Sequence, residues 1–425
     1  MLIQIRIIPI LLLVLILALF ITASARIRHV PDEYSTIQTG INDCSNGDTL
    51  LVQPGRYVEN LIFYGQNFVL ASLLAITDNL SYIDSTIIDG NSNGSVLTFN
   101  IGESRLCVVK GFTIENGYNQ NGGGIYCEHS SPTIAYNRIC NNEARYSSGH
   151  GYGGGIYCEY ADPLIANNII DHNTAAGLFG GDGGGISIED SNPVLINNTF
   201  TRNTAERWGG GMRCSHSYST IINCIFWSNM GDSGNIEIFN QYGAPDIIYS
   251  DIYAGWDGEG NINANPEFRD PDNGNFHLMA IEYGYQYDSP CIDVGSPNIN
   301  DILLDSLWGL GIPISDMGAY GGGDTSVSIS ESITASLPEQ PELSQNYPNP
   351  FNPAATIKFS LPEPSAVKLK IYDITGREIV ALVDEYKHAG VYKVSFDAAN
   401  LSSGIYFYRL TADSFSESKR MIYLK

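Results

Sequence analysis

Four stretches of this chain repeat one another, and that repetition limits the folds open to it more than any other property. They begin Gly122-Gly-Gly-Ile-Tyr-Cys127, Gly153-Gly-Gly-Ile-Tyr-Cys158, Gly183-Gly-Gly-Ile-Ser-Ile188 and Gly209-Gly-Gly-Met-Arg-Cys214, with starts 31, 30 and 26 residues apart. A unit this short cannot bury its own apolar face and must stack on its neighbours. Counted from the first glycine, offset 3 is apolar in every copy (Ile125, Ile156, Ile186, Met212), and so is offset 5 (Cys127, Cys158, Ile188, Cys214). Offset 12 holds Ile134, Ile165, Leu195 and Ile221, and offset 17 holds Ile139, Ile170, Phe200 and Phe226. Offsets 3 and 5 have the two-residue period of a strand with one buried face. Short strands, turn residues between them and no helical period predict a coil that winds once per repeat. Equal offsets then lie about 4.8 Å apart, so like residues form ladders.

Asparagine fits such ladders. Offset 20 is Asn142, Asn173, Asn203 and Asn229, and offset 15 is Asn137, Asn168 and Asn198, ending in Cys224. A side-chain amide donates to one neighbouring coil and accepts from the other, which satisfies polar atoms that the turn would otherwise bury. These positions read as structural.

The pattern resembles the pectate-lyase-like superfamily of right-handed parallel β-helices, and its GGGIYC…SxPxI…NN repeats are similar to those of bacterial surface proteins with that fold. Ser35 to Asn42 reads as a capping helix, and Gly47 to Tyr57 as a first strand and turn. Asn263 to Phe268, Ser289 to Gly295 and Asp316 to Gly321 resemble a closing segment. The resemblance covers most of residues 30 to 322 and bears on fold; one fold hosts many activities.

The ends carry targeting signals. Arg6, the apolar run Ile10 to Ile21 and Ala23-Ser24-Ala25 form a leader pattern, which places the mature start at Arg26. That run is short for a bilayer span, so cleavage is favoured over an anchor, and no later segment could span a membrane. Thr325 to Pro341 reads as a Ser/Glu/Pro linker. Beyond it, short alternating strands (355–361, 367–374, 379–383, 391–396, 405–410 and 420–424) predict a small β-sandwich, with Tyr372 to Arg377 as a hairpin turn. Asn346-Tyr-Pro-Asn-Pro-Phe-Asn-Pro353, the 371–378 stretch IYDITGRE, GVYKVSFDA at 390–398 and LSSGIYFYRL at 401–410 resemble the C-terminal sorting domain of type IX secretion substrates. The resemblance implies two-step export, the type IX machinery as a partner, and the cell surface or extracellular space as destination. The expected architecture is all-β: leader 1–25, parallel β-helix 26–324, linker 325–341 and sorting domain 342–425.

Charge narrows the partners. Between Arg26 and Asp324 there are 35 acids against 11 bases, a net of −24, whereas Thr325 to Lys425 carries 11 acids and 10 bases. So acidic a first domain argues against nucleic acid. All eight cysteines (44, 107, 127, 140, 158, 214, 224, 291) lie in it without a CxxC pair, so a zinc site is not expected. Parallel ladder geometry holds Cβ atoms farther apart than the ~3.8 Å a disulfide prefers, so a buried Cys127–Cys158 thiol ladder is expected.

Catalytic sets are missing. Ser148-Gly-His-Gly151 imitates the histidine motif of polygalacturonase-like hydrolases, but the mature chain has no Asp-Asp pair and no Arg-Ile-Lys. The Trp-Ile-Asp-His and Arg-x-Pro-x-x-Arg patterns of calcium-dependent pectate lyases are absent too. Asp270 to Gly274 reads as a turn. One constellation remains. If offsets 3 and 5 point inward, offsets 4 and 6 point outward. Offset 6 is Glu128, Glu159 and Glu189, and offset 4 includes Tyr126 and Tyr157. Three stacked carboxylates repel unless solvated, protonated or bridged by a cation. The preceding loops carry Arg145, His150, Tyr152, Phe179, Asp182, Arg207 and Trp208. In the resembling lyases this face forms the sugar groove. The site hypothesis is therefore a carbohydrate-binding groove with Ca²⁺ on Glu128, Glu159 and Glu189, set against the plainer reading of a solvated acidic face. A surface-displayed binding or adhesion protein leads; a lyase or hydrolase of acidic glycans and a structural surface-layer component are the alternatives. A basic residue facing clustered acids in the groove would favour the enzyme.

Overall fold

The computed structural model describes residues 25–232, 237–299, 309–321, 341–346, 348–361, 365–387, 390–398, 401–412 and 415–425. The leader before residue 25 and the 325–340 part of the linker lie outside the described residues. The chain divides into two compact units, Met1–Gly323 and Asp324–Lys425.

The first unit is a parallel β-solenoid of about seven turns over residues 55–252. Each repeat supplies one strand to each of three long sheets. Ile125–Glu128, Ile156–Glu159, Ile186–Glu189 and Met212–Ser215 lie in a seven-stranded first sheet. Thr133–Ala135 and its equivalents enter a nine-stranded second sheet, and Arg138–Cys140 and its equivalents an eight-stranded third. Pairing is parallel and joins equal offsets: Ile125 with Ile156, Ile186 and Met212 in turn. The register follows from the pleat, because a slip of one residue would turn every buried isoleucine to solvent. The inward columns form one continuous core in which Ile125, Cys127, Ile134 and Ile139 are all fully buried. Phe200 stacks on Phe226 at 4.5 Å between ring centres, with planes 2° apart.

The glycine triplet answers to steric demand. Its first member has φ between 62° and 68° in the four copies, a left-handed conformation that glycine adopts without cost. At the second, a methyl on Gly123 would sit 2.5 Å from the Glu143 carbonyl oxygen and 2.7 Å from that of Gly154. Adjacent coils therefore close up only without a side chain there.

The asparagine columns tie coil to coil. Asn142 accepts nothing from its own coil; its backbone N–H and its Nδ2 both donate to Asn173 Oδ1 at 3.0 Å, and Nδ2 also donates to the Ile114 carbonyl. Asn173 repeats this toward Asn203, and Asn203 toward Asn229. The column ends on a buried carboxyl, Glu237, which accepts from Asn229 Nδ2 and from its backbone N–H. Asn137, Asn168 and Asn198 form the parallel column and end at the Cys224 sulfur.

A second kind of asparagine column went unread in the sequence. Asn167, Asn197 and Asn223 occupy the left-handed turn between the second and third sheets. Their amides leave the coil to hold the closing segment: Asn167 Nδ2 donates to the Ala319 and Gly321 carbonyls, and Asn197 Nδ2 to that of Asp316. Asn223 Oδ1 accepts from the Ser296 N–H at 2.7 Å. At the other end, helix Ile37–Asp43 is capped by Thr36, and its first two N–H groups donate to Glu59. Its Ile37 and Ile41 are buried in the core. The expected turn at Asp270 to Gly274 is a 3-10 turn over Pro271–Asn273 with Gly274 at φ 78°.

All eight cysteines are buried free thiols. Cys127 and Cys158 are register partners, and burial pushes the Cys127 thiol far up, so it stays protonated.

The second unit is antiparallel. A three-stranded sheet holds Glu342–Leu343, Ala354–Leu361 and Gly390–Asp397; a four-stranded sheet holds Ser365–Asp373, Glu378–Lys387, Gly404–Ala412 and Phe415–Tyr423. Ile357 and Phe359 of one sheet share a core with Leu369, Tyr408 and Met421 of the other. Asp373 closes the expected hairpin by accepting from Thr375 and Arg377, and these bonds lower its pKa to about 2. The last strand begins at Phe415, five residues before the sequence reading put it, because polar residues alternate outward along its exposed half.

Two measurements test the ladder. Asn173→Ala leaves the Ile139 carbonyl and the neighbouring amides unpaired in a dry interior. We expect a loss of about 2–4 kcal/mol in urea unfolding of residues 26–323, from one to two unsatisfied buried groups. Burial raises the Glu237 carboxyl from 4.5 to about 7 despite the bonds from Asn229. The stability tied to it is fully present below about pH 4.5 and is lost as pH rises through about 7. Glu237→Gln should flatten that fall when unfolding is compared across this window.

Candidate ligand-binding groove

The outward offsets of the first sheet form one face. Offset 4 runs Tyr126, Tyr157, Ser187, Arg213, Phe239, and offset 6 runs Glu128, Glu159, Glu189, Ser215, Gln241, each in direct register. Two-residue alternation brings each tyrosine beside the glutamate of its own strand. Tyr157 donates its hydroxyl to Glu159 at 3.2 Å. Burial and then Glu128 raise the Tyr126 phenol well above its ordinary value, so it remains a donor. The two rings stack at 5.8 Å with planes 13° apart.

The third carboxylate is matched differently. Arg213, only 7% exposed along its side chain, donates to Glu189 Oε2 at 2.6 Å, and Ser215 donates to Oε1 at 2.8 Å. The other flank of Arg213 lies 3.7 Å from Asp182. Asp182 is fully buried and takes a two-pronged pair from Arg207, plus the Trp208 backbone N–H at 3.3 Å. Arg207 in turn lies 3.8 Å over the Trp208 ring, which stacks on Phe239 at 4.5 Å. Tyr152 stands under Arg213 at 5.2 Å and 6.3 Å from Tyr157. Acid, base and ring thus alternate along one wall, and each buried charge has a partner, as burial requires.

His150 belongs to this wall. Its Nε2 lies 3.3 Å from Arg207 Nη1 and its Nδ1 3.1 Å from the Gly180 carbonyl. A guanidinium only donates, so Nε2 accepts and Nδ1 carries the proton. The ring leans on Tyr152 and Phe179, which is a packing role.

Six of the residues singled out in the sequence are brought together: Tyr126, Glu128, Tyr152, Tyr157, Glu159 and Glu189, with Trp208 on the far side of Arg213. Arg145 is placed elsewhere. Its strand, Glu143–Tyr146, lies in a separate four-stranded sheet, and its exposed guanidinium pairs with Glu143 and faces Glu206 at 3.9 Å. Arg213 and Phe239 were missed. Arg213 fills the tyrosine position of the fourth copy, a signal visible in the alignment; Phe239 comes from a coil without the glycine triplet and carries none.

Beside the glutamates runs a column of left-handed turn residues: His129, Tyr160, Asp190, His216 and Tyr242. His129 stacks on Tyr160, and His216 on Tyr242, both at 5.1 Å. Glu189, Asp190 and His216 offer ligand atoms within 4.8 Å of one another. Glu189 is already engaged by Arg213 and Ser215, so this set has no spare charge at its centre. Tyr157 is buried between Tyr126 and Tyr152, so the face offers carboxylate acceptors, the half-buried Tyr126 ring and one neutralised guanidinium, which suits hydroxyl-rich ligands.

Among the described residues no helix is long and apolar enough to cross a membrane. No curated protein and no solved structure matches the chain. Residues 345–424 match the family model of the secretion system C-terminal sorting domain. The antiparallel module is thus a type IX sorting domain, carried behind a parallel β-solenoid on a protein exported to the cell surface or extracellular space.

Proposed function

We propose that the solenoid is a surface-displayed binding module whose ligand is a carbohydrate held on the Tyr126–Tyr157 face. The observation that carries this reading is the pairing, on successive rungs, of a stacked tyrosine with a half-exposed glutamate. The half-buried Tyr126 ring packs against the C–H face of a sugar with Tyr157 buried behind it, and the carboxylates accept from sugar hydroxyls at a spacing repeated along the axis. Tyr152 and Trp208 extend the aromatic wall, and Arg145 would serve only a chain that reaches round to the neighbouring sheet.

The residues fit Ca²⁺ in a reduced form. Arg213 already neutralises Glu189, which leaves Glu128 and Glu159 as the pair to hold an ion. Calcium takes 6–8 oxygens, so ligand hydroxyls and water would complete such a site. The enzymatic alternative, a lyase or hydrolase of acidic glycans, draws support from Arg213 facing Glu189 and Asp182. Against it, Arg213 is already engaged by two carboxylates, and a guanidinium offers donors but no acceptor with which to take a proton from a substrate. The acidic unit also repels acidic polymers. A structural surface-layer role is the third reading, to be favoured by self-association with no ligand.

A glycan array of residues 26–323, with and without Ca²⁺, tests this. We expect binding to neutral glycans that falls at least ten-fold in a Glu128→Gln, Glu159→Gln double variant. Unchanged binding in that variant would remove the groove from the proposal, and new reducing or unsaturated ends would replace binding with catalysis. For the tail, deletion of residues 342–425 should leave the protein in the periplasm of a type IX-competent host, scored by surface labelling and fractionation.

A further inference from the structure

The left-handed turns that follow the first sheet carry a ladder of rings with one rung missing. His129, Tyr160, Asp190, His216 and Tyr242 occupy equal offsets in successive coils, with φ between 45° and 57°. Their backbone continues the strand register: the N–H groups of His129, Tyr160, Asp190 and His216 donate in turn to the carbonyls of Glu159, Glu189, Ser215 and Gln241. His129 and Tyr160 stack at 5.1 Å with planes 6° apart, and His216 and Tyr242 at 5.1 Å with planes 23° apart. Asp190 stands where the middle ring would be.

The gap has a width and a charge. Tyr160 and His216 are two rungs apart, about 10 Å at strand spacing. Each has a stacked ring on one face and the gap on the other. Tyr160 is 53% exposed and Asp190 is exposed beside it, so the gap opens to solvent. Asp190 has no ion pair among the described residues, whereas its neighbour Glu189 is held by Arg213 and Ser215. The charge of Asp190 above all raises the Tyr160 phenol, and its carboxylate lies within 4.8 Å of a His216 ring nitrogen. The carboxylate therefore sits between the two rings.

Two ring faces flanking one carboxylate attract an organic cation, and the width selects its shape. Atoms in contact stand about 3.5–4.0 Å apart, so a flat guanidinium fills only about 7–8 Å between two rings. A methylated ammonium holds its methyl carbons about 1.5 Å off the nitrogen, which widens the sandwich to about 10 Å. Its nitrogen then lies about 5 Å from either ring, inside the ~6 Å range of cation–π attraction. An unmethylated ammonium is compact and strongly hydrated, and leaves the faces unfilled. A bare divalent ion finds one uncommitted carboxylate, too few ligands for calcium. We propose that the missing rung is a binding site for a trimethylammonium group of the choline type, sandwiched between Tyr160 and His216 with its charge on Asp190. The site adjoins the groove and uses none of its proposed sugar contacts.

Choline, ethanolamine and arginine are titrated into the full chain at about pH 8, where an ordinary imidazole is neutral, with binding read by saturation-transfer NMR on the ligand protons. We expect saturable choline binding in the millimolar range, and at least five-fold weaker binding of ethanolamine and of arginine. Asp190→Asn and Tyr160→Ala should each weaken choline at least three-fold. Asp190→Tyr supplies the absent ring on a turn where Tyr160 and Tyr242 already adopt a similar φ, so it should fold as the parent does and lose choline binding. The Glu128→Gln, Glu159→Gln groove variant should bind choline as the parent does. Retention on phosphatidylcholine but not phosphatidylethanolamine vesicles would place the group on a bilayer, and free choline bound without retention would place it on a soluble carrier; both agree with the site. No saturable choline binding, equal binding of ethanolamine or arginine, choline binding kept by Asp190→Tyr, loss in the groove variant, or displacement of choline by an equal concentration of Ca²⁺ would each overturn the proposal.

Discussion

Everything in the first unit hangs on the amide ladder from Asn142 to Asn229. A solenoid must turn its backbone inward-facing polar groups through a dry corner once per coil, and water cannot follow. The asparagine side chain solves this because it carries donor and acceptor at once: Nδ2 of each rung serves the carbonyl behind and the Oδ1 ahead. The requirement passes from coil to coil until something of another kind ends it. Glu237 ends one column and Cys224 the other. Burial in that dry end holds the Glu237 carboxyl up to about 7, and the bonds it accepts from Asn229 pull the other way.

Parallel backbone pairing sets the distance at which coils approach, and both the ladder and the glycine triplets answer to that distance. With coils so close, every outward position on the first sheet is repeated at strand spacing. The same repetition that makes a core therefore stacks charge on charge at the surface. The glutamates are met in two ways: by a tyrosine hydroxyl at Glu128 and Glu159, and by an arginine and a serine at Glu189. Buried charges also divide: Arg213 and Asp182 have ionic partners, whereas the buried carboxyls Glu237 and Asp251 meet neutral donors.

Much of this was legible in the sequence. Offsets 3, 5, 12 and 17 located the core because burial is imposed by period, and period survives in a linear string. Tyr126, Glu128, Tyr157 and Glu159 were legible as one face for the same reason. Arg213 was not chosen because reading three carboxylates as a column drew attention away from the rung where the pattern breaks. Asn167, Asn197 and Asn223 were passed over because their partners, Ala319, Asp316 and Ser296, lie 73 to 152 residues away. Nothing local marks an asparagine that faces out of the coil as different from one that faces in.

By itself, then, the sequence determined the parallel solenoid, the direction of its faces, the structural asparagine columns and the separate sorting module. Each follows from a period or a short motif, which are properties of neighbours along the chain. Only the tertiary structure decided which charges meet. That Arg213 neutralises Glu189 and that Asn167, Asn197 and Asn223 hold the closing segment depend on side chains from other coils, and Arg145 meets Glu143 because their strand belongs to a separate sheet. Those meetings are set by where the chain returns after a turn, a distance that no repeat length states.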